Sequence, residues 1–104
     1  MEIKHLHKHS LVSVDLDGTL TVGEWWGKGD PEPRKDIISL VNKMYLDGHH
    51  IIIFTARKEE WRSQTVEWLS RNSVWYHALN MGKMGADIYI DDKSIRPDEI
   101  QKLL

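Results

Sequence analysis

Three stretches of the chain are dense in apolar, mostly β-branched residues and end in polar ones. Leu11-Val12-Ser13-Val14 runs into Asp15-Leu16-Asp17-Gly18-Thr19, His50-Ile51-Ile52-Ile53-Phe54 into Thr55-Ala56-Arg57, and Ala86-Asp87-Ile88-Tyr89-Ile90 into Asp91-Asp92. Apolar runs without clean polar alternation suit central strands of a parallel sheet. A fourth, weaker strand is predicted at Val74-Trp75-Tyr76-His77. Between the first two strands Ile37, Val41, Met44 and Tyr45 recur at helical spacing, with Pro31 and Pro33 before them and Gly48 after, the punctuation of a helix. Trp61, Thr65, Trp68 and Leu69 repeat that spacing further on among charged neighbours, which predicts a second amphipathic helix with its tryptophans in the core. Pro97-Asp98-Glu99 opens a short terminal helix through Leu104.

Strand, helix, strand, helix, strand, strand, helix is the order of an α/β fold. It predicts one three-layer domain over residues 1–104, with a mostly parallel central sheet, right-handed crossovers and helices on both faces. Ligands of such open sheets sit beyond the carboxyl ends of the strands. Asp15, Asp17, Thr55, Asp91 and Asp92 all fall there, and their convergence is the main functional signal in the sequence.

Composition narrows the chemistry. Leu, Ile, Val and Phe make up 27 of 104 residues, enough for one small core and above the composition of disorder. The longest wholly apolar run is the four residues Ile51-Ile52-Ile53-Phe54, so no segment is expected to span a bilayer, and a soluble cytoplasmic protein is the default expectation. Lys and Arg total 14 against 16 Asp and Glu, a formal charge of −2, which argues against a protein that coats nucleic acid. There is no Cys, so any reactive group must be oxygen or nitrogen.

Carboxylates gathered at one sheet edge repel one another unless something cationic sits among them. Oxygen donors without thiolates select a hard cation, and Mg2+ suits a partial carboxylate site completed by water and substrate phosphate. Asp15 and Asp17, two residues apart, can leave the strand on one side and face one ligand. Gly18 permits a sharp turn, and the Thr19 hydroxyl is the expected tie across it.

Asp15-Leu16-Asp17-Gly18-Thr19-Leu20, Thr55 after an apolar strand, Lys83, and Asp91-Asp92 after another together resemble the ordered motifs of the haloacid dehalogenase superfamily, in its phosphatase branch. The resemblance runs from residue 11 to about residue 96 and covers nearly the whole chain. Within that superfamily the sequence looks closest to small capless capsule-biosynthesis phosphatases, and more distantly to the phosphatase domain of polynucleotide kinase-phosphatases.

The resemblance implies a Rossmann-like fold without a cap domain, and hydrolysis of a phosphate monoester through an aspartyl-phosphate. Asp15 would be the nucleophile and Asp17 the general acid and base. Asp91, the first to leave its strand, would complete a Mg2+ site with the Asp15 carboxylate and the Asp17 main-chain carbonyl, and Asp92 would hold a metal-bound water or orient Lys83. Thr55, with the following backbone amides at Ala56, would bind the phosphoryl group, and Lys83 would spread positive charge over it. Lys83 lies only eight residues before Asp91, closer than in many relatives, so Lys93 competes for that role. Arg57 is left with two readings, a substrate contact or a solvated partner of Glu59 or Glu60.

With no cap, the loop Thr21-Val22-Gly23-Glu24-Trp25-Trp26-Gly27-Lys28-Gly29-Asp30 is the expected cover of the site. Its tryptophans either stack on a substrate or pack down on the domain or a partner subunit. His5, His7 and His9 alternate along one face and read as a solvated terminal segment rather than a metal site. His49 and His50 precede the second strand, opposite the expected site, while His77 ends the weak strand and could line the pocket. The substrate classes left open are a sugar phosphate, a nucleotide and a phosphate at a nucleic-acid end, and a homo-oligomer also stays open. Two competing readings are a receiver-like magnesium-binding module, which lacks the required separate phospho-acceptor between Asp17 and Thr55, and a catalytically silent binding protein.

Overall fold

The computed structural model describes residues 9–25 and 29–82. Three parallel strands, β1 (Leu11–Asp15), β2 (His50–Phe54) and β3 (Ala78–Asn80), lie side by side in sequence order. Helix α1 (Lys35–Leu46) links the first two and α2 (Arg62–Arg71) the last two, with a single 3₁₀ turn at Glu59–Trp61 before α2. The α/β architecture expected from the sequence is the one found. The expected strand at Ala86 to Ile90 and the expected helix from Pro97 to Leu104 lie outside the described residues, as do His5 and His7.

In register, Val14 is opposite Ile53 and Ile53 opposite Leu79, so these side chains share one sheet face. All three are buried with Ile51 in one cluster with Ile37, Ile38, Leu40, Val41 and Met44 of α1 and Trp68 and Leu69 of α2. Each large aliphatic side chain so buried contributes about 1.5–3 kcal/mol of transfer free energy. Both described helices therefore cover the same face, as successive right-handed crossovers in one direction require. On the opposite face Ser13 is exposed and Ile52 and Phe54 are half-buried among the described residues. Of the two tryptophans expected in the core of α2, Trp68 is 2% exposed, while Trp61 stays half-buried and serves the site instead.

Both helices end in the same hydrogen-bonded cap. After α1, the Gly48 N–H donates to Tyr45 O (3.2 Å) and the His49 N–H to Met44 O (3.0 Å), with Gly48 at φ +97°. After α2, the Ser73 N–H donates to Ser70 O (3.1 Å) and the Val74 N–H to Leu69 O (3.0 Å), with Ser73 at φ +54°. This is the Schellman arrangement, and the buried pair Val74 and Leu69 supplies its apolar contact.

That cap moves the third strand. The sequence predicts a strand from Val74 to His77, but Val74 is taken by the cap and the Trp75 N–H donates to Asn42 Oδ1 (2.9 Å). Asn42 also donates its Nδ2–H to Ser73 O (2.8 Å), strapping the connection to α1. The backbone is free to pair with β2 only from residue 77 onward, so the strand forms at Ala78–Asn80. His77 consequently precedes the strand instead of ending it, at the edge away from Asp15. There its Nδ1 accepts the Ile51 N–H (2.9 Å) and its ring stacks between Tyr45 and His50. The expectation that His77 lines the pocket is thereby overturned.

The two caps should respond oppositely to substitution. Gly48→Ala forces a Cβ into a left-handed backbone 2.9 Å from His9 Nδ1 and should destabilise by at least about 1 kcal/mol. Ser73→Gly relieves a strained residue and should stabilise by about 0.5–1 kcal/mol. Urea midpoints of the two variants at constant slope are the check, and a shift of the same sign in both would contradict this account of the caps.

Candidate active site

Asp15 is the last residue of β1, and the chain leaves the strand there. Its Oδ1 accepts the Leu16 N–H at 2.8 Å. Leu16 and Leu20 are fully buried and pin the loop between them, so the exposed bend falls on the residues in the middle. Asp17 is extended (φ −75°, ψ 127°) and Gly18 left-handed (φ 84°, ψ −5°), a reversal that glycine adopts without steric cost. The hydroxyl that ties this turn belongs to Thr21, not to Thr19 as the sequence suggests. Thr21 Oγ1 accepts the Gly18 N–H (3.1 Å) and donates to Gly23 O (2.8 Å), and its backbone N–H reaches Leu16 O (3.2 Å). Thr21 is wholly buried, so its hydroxyl must be satisfied at short range.

Because β1 stops at Asp15, strand alternation does not aim Asp17; side chains arriving from the end of β2 do. Arg57 holds the Asp17 carboxylate on both oxygens, through Nε to Oδ2 (2.9 Å) and Nη2 to Oδ1 (2.7 Å). Its remaining nitrogen, Nη1, donates to Thr65 Oγ1 on α2 (3.0 Å), and the Thr65 hydroxyl donates in turn to Trp61 O (2.8 Å). The Thr55 hydroxyl accepts the Arg57 N–H (3.1 Å) and lies 3.5 Å from Asp17 Oδ2, the outer limit of a hydrogen bond. The side chains of Arg57 and Asp17 are 5% and 18% exposed.

Arg57 thus pairs with neither Glu59 nor Glu60, which were its expected partners if it proved a surface charge. Glu59 is bound instead by Arg62, whose side-chain hydrogen bonds hold its carboxyl below the ordinary value. The Ala56 N–H makes no hydrogen bond among the described residues and Ala56 is exposed at this edge. Gly82, the residue before Lys83, donates its N–H to Arg57 O at 2.8 Å. Lys83, Lys93, Asp91 and Asp92 themselves lie outside the described residues, as does Trp26.

The loop after Thr21 is fastened to α2. Thr21 and Pro33 bridge its two ends, the Trp68 indole N–H donates to Pro31 O (2.8 Å), and Arg71 grips Asp30 through two nitrogens (2.9 and 3.1 Å). Hydrogen bonding from Arg71 holds the Asp30 carboxyl below its ordinary value, so this tie is ionic at neutral pH. Trp25 packs down on the domain: its ring lies 4.0 Å over the Arg57 guanidinium and meets Trp61 edge-on at 5.0 Å. Of the two expectations for this residue, packing rather than a free stacking platform is what is found.

No group of three or more His, Asp or Glu side chains placed to hold a metal ion occurs among the described residues. No helix among them is long and apolar enough to cross a membrane. The donors at the sheet edge are carboxylate oxygens with no thiolate anywhere in the chain, which fits a hard divalent cation provided further oxygens come from outside the described residues.

A parallel α/β sheet with an Asp-x-Asp turn leaving its first strand and a threonine leaving its second is the arrangement of haloacid dehalogenase-type phosphatases. Residues 9–103 match the model of the polynucleotide kinase PNKP phosphatase domain, and the chain belongs to that family. It is similar over its fold to a Vibrio cholerae protein of known crystal structure, with 30% identity, 88% of this chain and 86% of that one covered, and a TM-score of 0.73. A chain of the Pnkp1/Rnl/Hen1 complex shares the fold at 18% identity and a TM-score of 0.60; the match covers 92% of this chain and 33% of that one. No curated protein matches. Membership of a phosphatase-domain family points to phosphoester hydrolysis and away from the receiver-like reading.

The two aspartates should differ in what they do for folding. Asp17→Asn leaves a buried guanidinium facing a neutral amide and should cost about 1.5–3 kcal/mol, the range for hydrogen bonds to charged groups. Asp15→Asn keeps an acceptor for the Leu16 N–H and should cost less than that. Equal losses in chemical denaturation would show that the Arg57 pair is not what distinguishes them.

Proposed function

We propose that the protein is a magnesium-dependent phosphomonoester hydrolase that works through an aspartyl-phosphate at Asp15. The observation that carries this reading is the placement of two carboxylates in unlike environments at the carboxyl edge of the sheet, Asp15 on the strand end and Asp17 gripped by Arg57. Family membership supports the reaction class.

In this reading an Asp15 carboxylate oxygen attacks phosphorus, the O–P bond to it forms, and the bond from phosphorus to the leaving alkoxide breaks. The Asp17 carboxyl gives its proton to that alkoxide. The carboxylate left behind then takes a proton from the water that hydrolyses the acyl-phosphate, regenerating Asp15 and releasing phosphate. Both Asp17 oxygens accept N–H groups from Arg57. The role of Asp17 as acid requires one oxygen to leave the fork and carry a proton. Thr55 and the exposed amide at Ala56 would bind the phosphoryl oxygens, with Lys83 adding positive charge; the bond from Gly82 to Arg57 supports Lys83 over Lys93. Arg57 is better read as the partner of Asp17 than as a phosphate ligand, since its forked face is already engaged. Asp15 through its carboxylate and Asp17 through its main-chain carbonyl, with Asp91 and Asp92, would hold Mg2+, which when bound lets an anionic nucleophile approach an anionic phosphate.

The site is read as capless, serving a sugar phosphate, a nucleotide or a phosphate at a nucleic-acid end, and the family match favours the last of these. A screen of these classes with magnesium should find release of inorganic phosphate that a chelator abolishes. Asp15→Asn should remove turnover, whereas Asp17→Asn should slow alkyl phosphates by about 10²-fold or more and aryl phosphates, whose leaving groups need no proton, much less. Absence of phosphate release across the screen, with folded protein and magnesium, would return the chain to a binding role.

A further inference from the structure

We propose that Trp25 is a positioning residue for the Asp17 carboxylate and acts through Arg57; this rests on the reading of Asp17 as the proton-transfer group. Arg57 is fixed on every side that the described residues offer. Nε and Nη2 hold Asp17, Nη1 holds Thr65, and the flat face lies under the Trp25 indole at 4.0 Å. The edge bonds set where the guanidinium sits within its plane, while the indole covers the direction perpendicular to that plane. A cation over an aromatic ring gains most when water is excluded, and Arg57 is only 6% exposed.

Two further features make the indole more than a neighbour. Trp61 anchors both supports of Arg57: its carbonyl accepts the Thr65 hydroxyl that receives Nη1, and its ring meets the Trp25 edge. Beside this stack lies a cavity of about 210 Å³ between the loop and α2, lined by Trp25 and Arg57 together with Asp30, Glu67 and Arg71. With the indole gone, that cavity opens onto the guanidinium face, and water competes for the cation. The Asp17 carboxylate then loses a rigid partner and samples orientations unsuited to proton transfer, although no atom that touches substrate has changed. A loop contact of this kind sets the rate of the proton-transfer steps, not the affinity for phosphate.

The test is a double-mutant cycle on alkyl phosphate turnover with magnesium, combined with a readout that needs no activity. Trp25→Ala should lower kcat roughly tenfold with KM within about twofold, and Trp25→Phe, which keeps a ring over the cation, should recover most of the loss. In an Asp17→Asn background the same Trp25→Ala change should lower kcat by less than about twofold, because the group it positions is gone. A raised KM at unchanged kcat would overturn the proposal in favour of substrate contact, and fully additive losses would place the effect of Trp25 elsewhere. Independently, the Arg57 Nε–H should exchange slowly with water by ¹⁵N-edited NMR in the parent and in Trp25→Phe, and at least about tenfold faster in Trp25→Ala. Unchanged exchange overturns the proposal even if turnover falls. A parent that turns over nothing while Nε–H exchange behaves as expected refutes the hydrolase reading alone and leaves the Trp25 to Arg57 coupling standing.

Discussion

Removing a guanidinium and a carboxylate from water carries a penalty of several kcal/mol per ion, offset only when the geometry is close to ideal and every remaining hydrogen-bonding group finds a partner. The pair between Arg57 and Asp17 meets that condition by recruiting distant parts of the chain. The loop after β1 supplies the carboxylate, the end of β2 the guanidinium and Thr55, α2 the Thr65 hydroxyl, and the loop before α1 the Trp25 ring. No buried side-chain nitrogen or oxygen among the described residues is left without a hydrogen-bond partner. Requirements of the ion pair thus organise segments that the hydrophobic core alone would leave free to shift.

The same constraint separates two carboxylates that the sequence presents as a symmetric motif. Asp15 is placed by backbone, as the last rung of a strand whose neighbours are buried aliphatics, and its local bond is to the next residue. Asp17 is placed by side chains from 38 and 40 residues away. A group fixed by the sheet suits a role that needs one unvarying position. A group held by a fork of hydrogen bonds is oriented by its partners, which in the proposed reading aims it for proton transfer. The family points to phosphoester hydrolysis, and in the proposed reading the two carboxylates divide its steps.

Much of this was legible from spacing. Uninterrupted apolar runs located β1 and β2, the recurrence of Ile37, Val41 and Met44 located α1, and the position of Asp15, Asp17 and Thr55 after strands anticipated that they gather at one sheet edge. What stayed hidden depended on contacts that local pattern does not encode. Arg57 sits beside Glu59 and Glu60 in sequence, so a surface pair stood level with a substrate contact, whereas its partner is 40 residues earlier. The signal that could have found it was topological: with Asp15 opposite Phe54, residues just past each strand end are neighbours in space. The four-residue displacement of β3 arose because Val74 reads equally well as a strand residue or as the apolar contact of a helix cap. Thr21 displaced Thr19 for a similar reason, since the tie across the turn depends on which threonine is buried.

The order of strands in the sheet has a bearing on how the molecule is made. β1, β2 and β3 lie in the order in which they leave the ribosome, and each new strand is added at the free edge of the one before it. Among these three described strands no earlier pairing has to open to admit a later one, unlike sheets in which a late strand inserts between two that are already joined. Among the described strands the longest strand-to-strand step is that between β1 and β2, and the later step from β2 to β3 is shorter. The pair of Asp17 with Arg57 becomes available as soon as β2 has docked, and Thr65 completes it when α2 folds back. Assembly from the amino end therefore brings the charged pair out of water only after the aliphatic faces that shelter it have begun to close.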